Sequence, residues 1–169
     1  MFIIPGQRLG LDVTPALAPL HVPVKFTDDR GVTHNLEATS GAGRARDQHY
    51  RNLLPVTDAA VANGVFLTPL TREQSVALIA VVLVEDLLRR ERYHDAMAVA
   101  DILLEHYPIF ACAMVKKGAA AARLPKSAFP YATLRAVPAA RRPHAARLLR
   151  INRNAFERAE ALGWRPIRR

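Results

Sequence analysis

Hydrophobic and polar residues alternate with a period of two early in the chain. Val22, Val24 and Phe26 are separated by single residues of other types, and residues 32–37, VTHNLE, alternate again. This period is typical of strands that bury one face. Between the two runs, Asp28-Asp29-Arg30-Gly31 is typical of a turn, where Gly accepts positive φ. The pattern predicts an antiparallel β-hairpin.

The length of the turn decides which side chains meet across this hairpin. The pattern places His21 and Lys25 on the face opposite to the three hydrophobic side chains. If the loop is Asp28-Asp29-Arg30, Thr27 pairs with Gly31 and His21 faces Glu37. If the loop is one residue longer, His21 and Glu37 point to opposite faces of the sheet. Both registers are open at this stage.

The middle of the chain changes to a helical period. Thr71 and Gln74 form a capping box that begins a helix predicted to end near Glu91. Apolar residues surround most of its axis, so we expect it to pack on more than one side. A second amphipathic helix is predicted over residues 93–107 and ends before Pro108.

This helix pair fits the tetratricopeptide template. Aligning Pro108 with the closing proline of the template puts Ala96 on its small-residue position. A second repeat then begins at Ala111 and puts Gly118 where two helices approach closely. The pattern predicts close packing at both positions.

The last part of the chain is rich in proline and arginine. Four prolines predict an irregular linker over residues 124–142, and a helix follows from Pro143 to Leu162. Its arginines lie off the apolar stripe: Arg147, Arg150, Arg153 and Arg158. Such a face can bind RNA, an acidic protein or anionic lipid. The alternative, which we favour, is a capping helix with a solvated basic face.

Charged residues are unevenly distributed along the chain. Of the 169 residues, half are hydrophobic, and the formal net charge is +9. Residues 125–169 carry 11 Lys or Arg and only 2 Asp or Glu, so they account for the whole excess. No apolar run reaches the roughly 18 residues of a membrane span, and the single cysteine, Cys112, excludes an intramolecular disulfide framework. We expect a cytoplasmic protein without a metal or another cofactor.

The predicted hairpin contains two candidate functional residues, His21 and Glu37. A histidine oriented by a carboxylate makes two of the three members of a nucleophilic triad; the third is a Cys or Ser that the imidazole deprotonates. The simpler interpretation is a hairpin with a partly exposed His21 and a solvated Glu37.

The residues around this pair resemble a known family. His21, followed by Glu37 within NLEATSG and by residues 49–74, is similar to the second half of a bacterial transglutaminase-like domain, a relative of papain-type cysteine peptidases. The resemblance implies that His21 is a general base and Glu37 its orienting acid, although the family acid is commonly Asp. It also implies a catalytic Cys upstream of the histidine, and the twenty residues before His21 contain none. Tetratricopeptide-like helices often follow such domains in the family.

These observations predict an α+β protein. A transglutaminase-like unit is expected over residues 1–70, tetratricopeptide-like helices over 71–124, and a linker with a basic helix over 125–169. We expect a pseudoenzyme that binds a protein partner or a second copy of itself. The alternatives are a split or truncated cysteine peptidase or acyl transferase whose Cys comes from elsewhere, and an RNA- or polyanion-binding protein that uses the arginine-rich tail.

Overall fold

The computed structural model describes residues 3–37, 43–128 and 133–167, with only the backbone of 126–128. The chain forms two compact units, one of residues 1–75 with 162–169 and one of residues 76–161. A four-stranded antiparallel sheet precedes a mainly helical region. The predicted α+β class is confirmed.

The first unit is built on the sheet, whose strands follow chain order. Its elements are α1 (Ile3–Arg8), β1 (Asp12–Pro15), β2 (Val24–Thr27), β3 (Thr33–Glu37), β4 (Gly43–Ala45), α2 (Asp47–Leu53) and α3 (Asp58–Ala62). β1 pairs with β2, so the N-terminal segment covers an edge that the hairpin alone would leave open.

Neither predicted register of the hairpin is correct. Thr27 pairs with Thr33, so the loop covers residues 28–32. The Asp28 carboxylate explains the longer loop, because it accepts hydrogen bonds from the backbone N–H groups of Arg30 and Val32. Relative to the three-residue loop, the pairing has shifted by an even number of residues, which leaves the faces unchanged.

The burial predicted for the first strand of the hairpin, which corresponds to β2, is wrong at two positions. Lys25 is only 5% exposed, whereas Val22 is 42% exposed. Lys25 is buried because α2 lies over its face of the sheet, where Asp47 contacts it. Val22 precedes β2 and is not part of the pleated strand.

The second unit is helical. It contains most of α4 (Arg72–Arg89), then α5 (Tyr93–His106), α6 (Ala111–Ala128) and α7 (Arg142–Ala161), with 3-10 turns at Leu134–Ala136 and Ala139–Arg141. α6 packs against both α5 and α7. The capping box is present, because the Thr71 hydroxyl accepts from the Gln74 N–H and the Gln74 side chain accepts from the Thr71 N–H. Among the residues described, no helix is both long and apolar enough to cross a membrane.

Two predictions about the helices need correction. α6 continues through Pro125 to Ala128, so the irregular segment begins later than position 124. Pro125 lies in the last turn, where its missing N–H removes one helix hydrogen bond. α4 does not pack on more than one side: Ala77 and Val81 are buried, but Ile79 is 73% exposed.

The two positions predicted for close packing are both tightly surrounded. Ala96 is fully buried. A Cβ added to Gly118 would lie 2.9 Å from Phe156 Cε2 and 3.2 Å from Ala155 Cβ, both on α7. Asn152 Nδ2 also donates to the Gly118 carbonyl over 2.9 Å. Because a side chain would collide at this point, glycine permits the contact between α6 and α7.

Candidate acid–base site

His21 and Glu37 are brought together in the structure. His21 Nε2 lies 3.0 Å from Glu37 Oε2, and the two side chains are 24% and 14% exposed. His21 does not open a strand. It closes a turn with Ala18, and the two residues exchange backbone hydrogen bonds of 2.9 and 3.0 Å. Leu20 adopts a left-handed conformation within this turn, with φ of 58°.

Tyr50 of α2 contacts both members of this pair. Its hydroxyl donates to Glu37 Oε2 over 3.2 Å, and its ring stacks on His21 with centroids 5.7 Å apart. Burial of the phenol, together with the adjacent Glu37 carboxylate, raises the pKa of Tyr50 to about 12. Tyr50 therefore stays a neutral hydrogen-bond donor and limits how far either partner can rotate.

A second polar group lies under the same helix. Lys25 Nζ and Asn35 Nδ2 each donate to Asp47 Oδ1 over 2.7 Å. Burial of the Asp47 carboxyl opposes its ionisation, but the hydrogen bonds from Asn35 and Lys25 outweigh this, so the pKa of Asp47 is lowered. The buried Lys25 ammonium thus has a carboxylate partner, as a buried charge requires.

The spacing of Asp47 and Tyr50 explains how α2 contacts both the His21–Glu37 pair and the side chains of Lys25 and Asn35. Residues three apart lie on one face of a helix. Asp47 therefore contacts the strand residues Lys25 and Asn35, while Tyr50 contacts Glu37 and His21. Sequence reasoning did not identify Tyr50 or Asp47 as part of the site. The three-residue spacing of the two residues was the available indication, but it names no partner.

The pair lies at an open groove of about 820 Å³. Besides His21 and Glu37, basic and apolar residues line it, among them Arg44, Arg46 and Leu53. None of the described residues that line it is a Cys, Ser or Thr. His21 Nε2 is held by Glu37, and no described group forms a hydrogen bond with Nδ1. Among the described residues, the arrangement holds an imidazole beside a carboxylate but includes no Cys, Ser or Thr.

Cys112 does not have the properties of an activated thiol. It lies on α6 in the second unit, and burial raises its pKa. A nucleophilic cysteine needs the opposite shift, toward the thiolate. Within the described part of the chain, no group of three or more His, Cys, Asp or Glu side chains could hold a metal ion.

The arginines of α7 differ in their contacts. Arg158 Nη2 donates to the Pro108 carbonyl over 2.7 Å. Arg147, Arg150 and Arg153 are exposed, and none forms a salt bridge with an acidic side chain that the structure describes. Arg158 thus has a structural contact, whereas the other three form a solvated basic face.

Comparison of the chain with family models, with curated proteins and with solved structures found no match in any of the three. The transglutaminase-like and tetratricopeptide-like assignments stay predictions.

Proposed function

We propose that this chain is non-catalytic by itself and acts through protein–protein interaction, with α4 as the surface that a second polypeptide covers. One observation carries the proposal: an apolar stripe on α4 is open to solvent. The stripe consists of Val76, Ile79, Val82 and Leu83, which are 61%, 73%, 60% and 52% exposed.

The spacing of the stripe supports a binding role. Val76, Ile79 and Leu83 follow one another by three and four residues and share one face of the helix. The buried residues Ala77 and Val84 lie on another face, so α4 has two distinct apolar surfaces. Single exposed apolar residues are ordinary, but contiguous ones mark interaction sites in soluble proteins.

The energetic reason is the burial of this surface. Fully burying a Val, Leu or Ile side chain contributes about 1.5–3 kcal/mol. Four such side chains can supply several kcal/mol, which offsets part of the cost of association. Anchors spaced i, i+3 and i+7 are those by which an amphipathic helix lies in the apolar groove of a partner.

Site-specific photo-crosslinking tests this proposal. A photoreactive amino acid replaces Ile79 in the full chain, and the matched control places it at Ile102 of α5, which is 56% exposed. We expect a crosslinked polypeptide at position 79 and not at 102, and we expect Leu83→Lys to abolish it. Its mass tells whether the partner is a second copy of the chain. Equal crosslinking at both positions, or none at 79, would refute the proposal.

A second candidate function rests on the orientation of His21. Because Glu37 holds Nε2, the ring nitrogen left over for a reaction is Nδ1. In this alternative, another polypeptide supplies a cysteine, and its thiol proton passes to His21 Nδ1. The thiolate attacks the carbonyl carbon of an amide, the C–N bond breaks, and a thioester forms. The leaving amine takes the proton from His21 Nδ1. Glu37 then orients the imidazole and stabilises its charged form.

This alternative has its own test, which uses the polypeptide captured by crosslinking. An electrophilic peptidase probe should label a cysteine of that partner only when the two chains are mixed. His21→Ala should abolish the labelling, and Glu37→Gln should reduce it. Labelling that is independent of His21 would exclude the split site without affecting the α4 proposal.

A further inference from the structure

We propose that the groove beside His21 and Glu37 binds an extended acidic peptide, with Arg44 and Arg46 contacting its carboxylates. The residues involved belong to the first unit, and the proposal does not depend on α4.

The charge of the groove is the first reason. Arg44 and Arg46 are exposed, and neither forms an ion pair with any acidic side chain that the structure describes. The acidic residue among the described lining side chains is Glu37, which His21 and Tyr50 already engage. An anionic ligand would therefore meet two uncompensated guanidinium groups, which suit planar carboxylates.

Apolar side chains at the same groove are the second reason. Leu20 is 87% exposed and Leu53 is 68% exposed, and both line the groove. Leu20 is held in the left-handed region, with φ of 58°, which is uncommon for a branched residue. Backbone strain of this kind clusters at active sites and ligand-binding sites. Here it occurs at an exposed leucine beside the groove.

The backbone of β4 supplies the third reason. All three residues of β4, Gly43–Ala45, line the groove. β4 is the last strand of the sheet, and no described strand pairs with its second edge. An extended peptide can add to such an edge through main-chain hydrogen bonds while its side chains are selected by their surroundings.

The same features favour a peptide over a nucleic acid. Single-stranded nucleic acids are bound by exposed aromatic side chains on which bases stack. Tyr50 is only 2% exposed and its ring is already stacked on His21. Leu20 and Leu53 instead fit aliphatic side chains, so we expect acidic residues interspersed with aliphatic ones.

The experiment uses the full chain and an array of short acetylated peptides of varied composition. We expect the bound peptides to be enriched in Asp and Glu over Asn and Gln, and binding to weaken with added salt. For the best peptide, Arg44→Gln with Arg46→Gln should weaken binding roughly three- to tenfold, as for two solvent-exposed charge contacts. The matched control is Arg150→Gln with Arg153→Gln on α7, which should bind as the wild type does.

Two further measurements decide between the possible outcomes. Arg44→Lys with Arg46→Lys keeps the charges and should retain most of the binding; circular dichroism checks the fold of each variant. Oligouridylate is measured by fluorescence anisotropy as the competing ligand. The proposal is overturned if no peptide binds, if acidic residues are not enriched, or if the α7 control loses as much binding. Tighter binding of oligouridylate that depends on Arg44 and Arg46 overturns it in favour of a nucleic acid.

Discussion

Replacing Gly118 with leucine inserts a side chain where α6 lies against α7. At this position even a Cβ would lie 2.9 Å from Phe156 Cε2, 3.0 Å from Cδ2 and 3.2 Å from the Ala155 Cβ. The Phe156 ring is partly exposed and can swing aside, but the Cβ of the buried Ala155 moves only with the backbone of α7. The substitution must therefore push the two helices apart or displace the ring.

The expected change in the free energy of unfolding combines one stabilising term and two destabilising ones. Leucine gains about 1 kcal/mol of helix propensity over glycine. Overpacking costs about 1–3 kcal/mol. A shift of α7 would also weaken the hydrogen bond from Asn152 to the Gly118 carbonyl, which contributes about 0.5–1.5 kcal/mol. We expect Gly118→Leu to lower the free energy of unfolding by about 1–3 kcal/mol.

A double-mutant cycle measured by urea denaturation tests the assignment. Phe156→Ala removes the ring that the new side chain would strike. If Gly118 is required because of Phe156, the double variant should be more stable than the sum of the two single effects by roughly 1 kcal/mol or more. Wild-type stability of Gly118→Leu would show that the contact between α6 and α7 does not require glycine. Simple additivity in the cycle would show that Phe156 is not the obstacle, which leaves the Cβ of Ala155.

Three other predictions concern the site and the surface. Cys112 should react with iodoacetamide more slowly than an unstructured thiol, because burial raises the pKa of Cys112. The rate is measured by mass spectrometry, and His21→Ala should not change it. Rapid labelling at low pH that requires His21 would contradict this prediction. In the difference between the phenolate absorbance titrations of wild type and Tyr50→Phe, the midpoint should lie near 12 rather than about 10. The neutral Tyr50 phenol therefore stabilises the fold below about pH 10, and this contribution is lost as the pH rises toward 12. A titration midpoint near 10 would argue against the burial of Tyr50 beside the Glu37 carboxylate. Arg150→Ala and Arg153→Ala should each change stability by less than about 0.5 kcal/mol; salt-dependent RNA binding that disappears in the double variant would give the arginines a binding role.

The sequence predicted the elements that local chemistry specifies. Thr71 and Gln74 identified the start of α4, because capping depends on residues three positions apart. The last helix, predicted to end at Leu162, ends at Ala161. The hydrophobic periods also predicted the hairpin and the α+β class, since both follow from short-range patterns.

What depends on partners distant in sequence required the tertiary structure. The Asp28 carboxylate lengthened the hairpin loop, and α2 buried Lys25, although the alternation of strand residues predicted that it faced outward. The contact of His21 with Glu37 was one of two predicted alternatives, and it forms in a register that was neither of them. The exposed side of α4 could not be predicted either, because an apolar helix surface looks the same in sequence whether it is covered or open. Periodicity reports which side chains share a face, but only the packing of other elements decides what lies against that face.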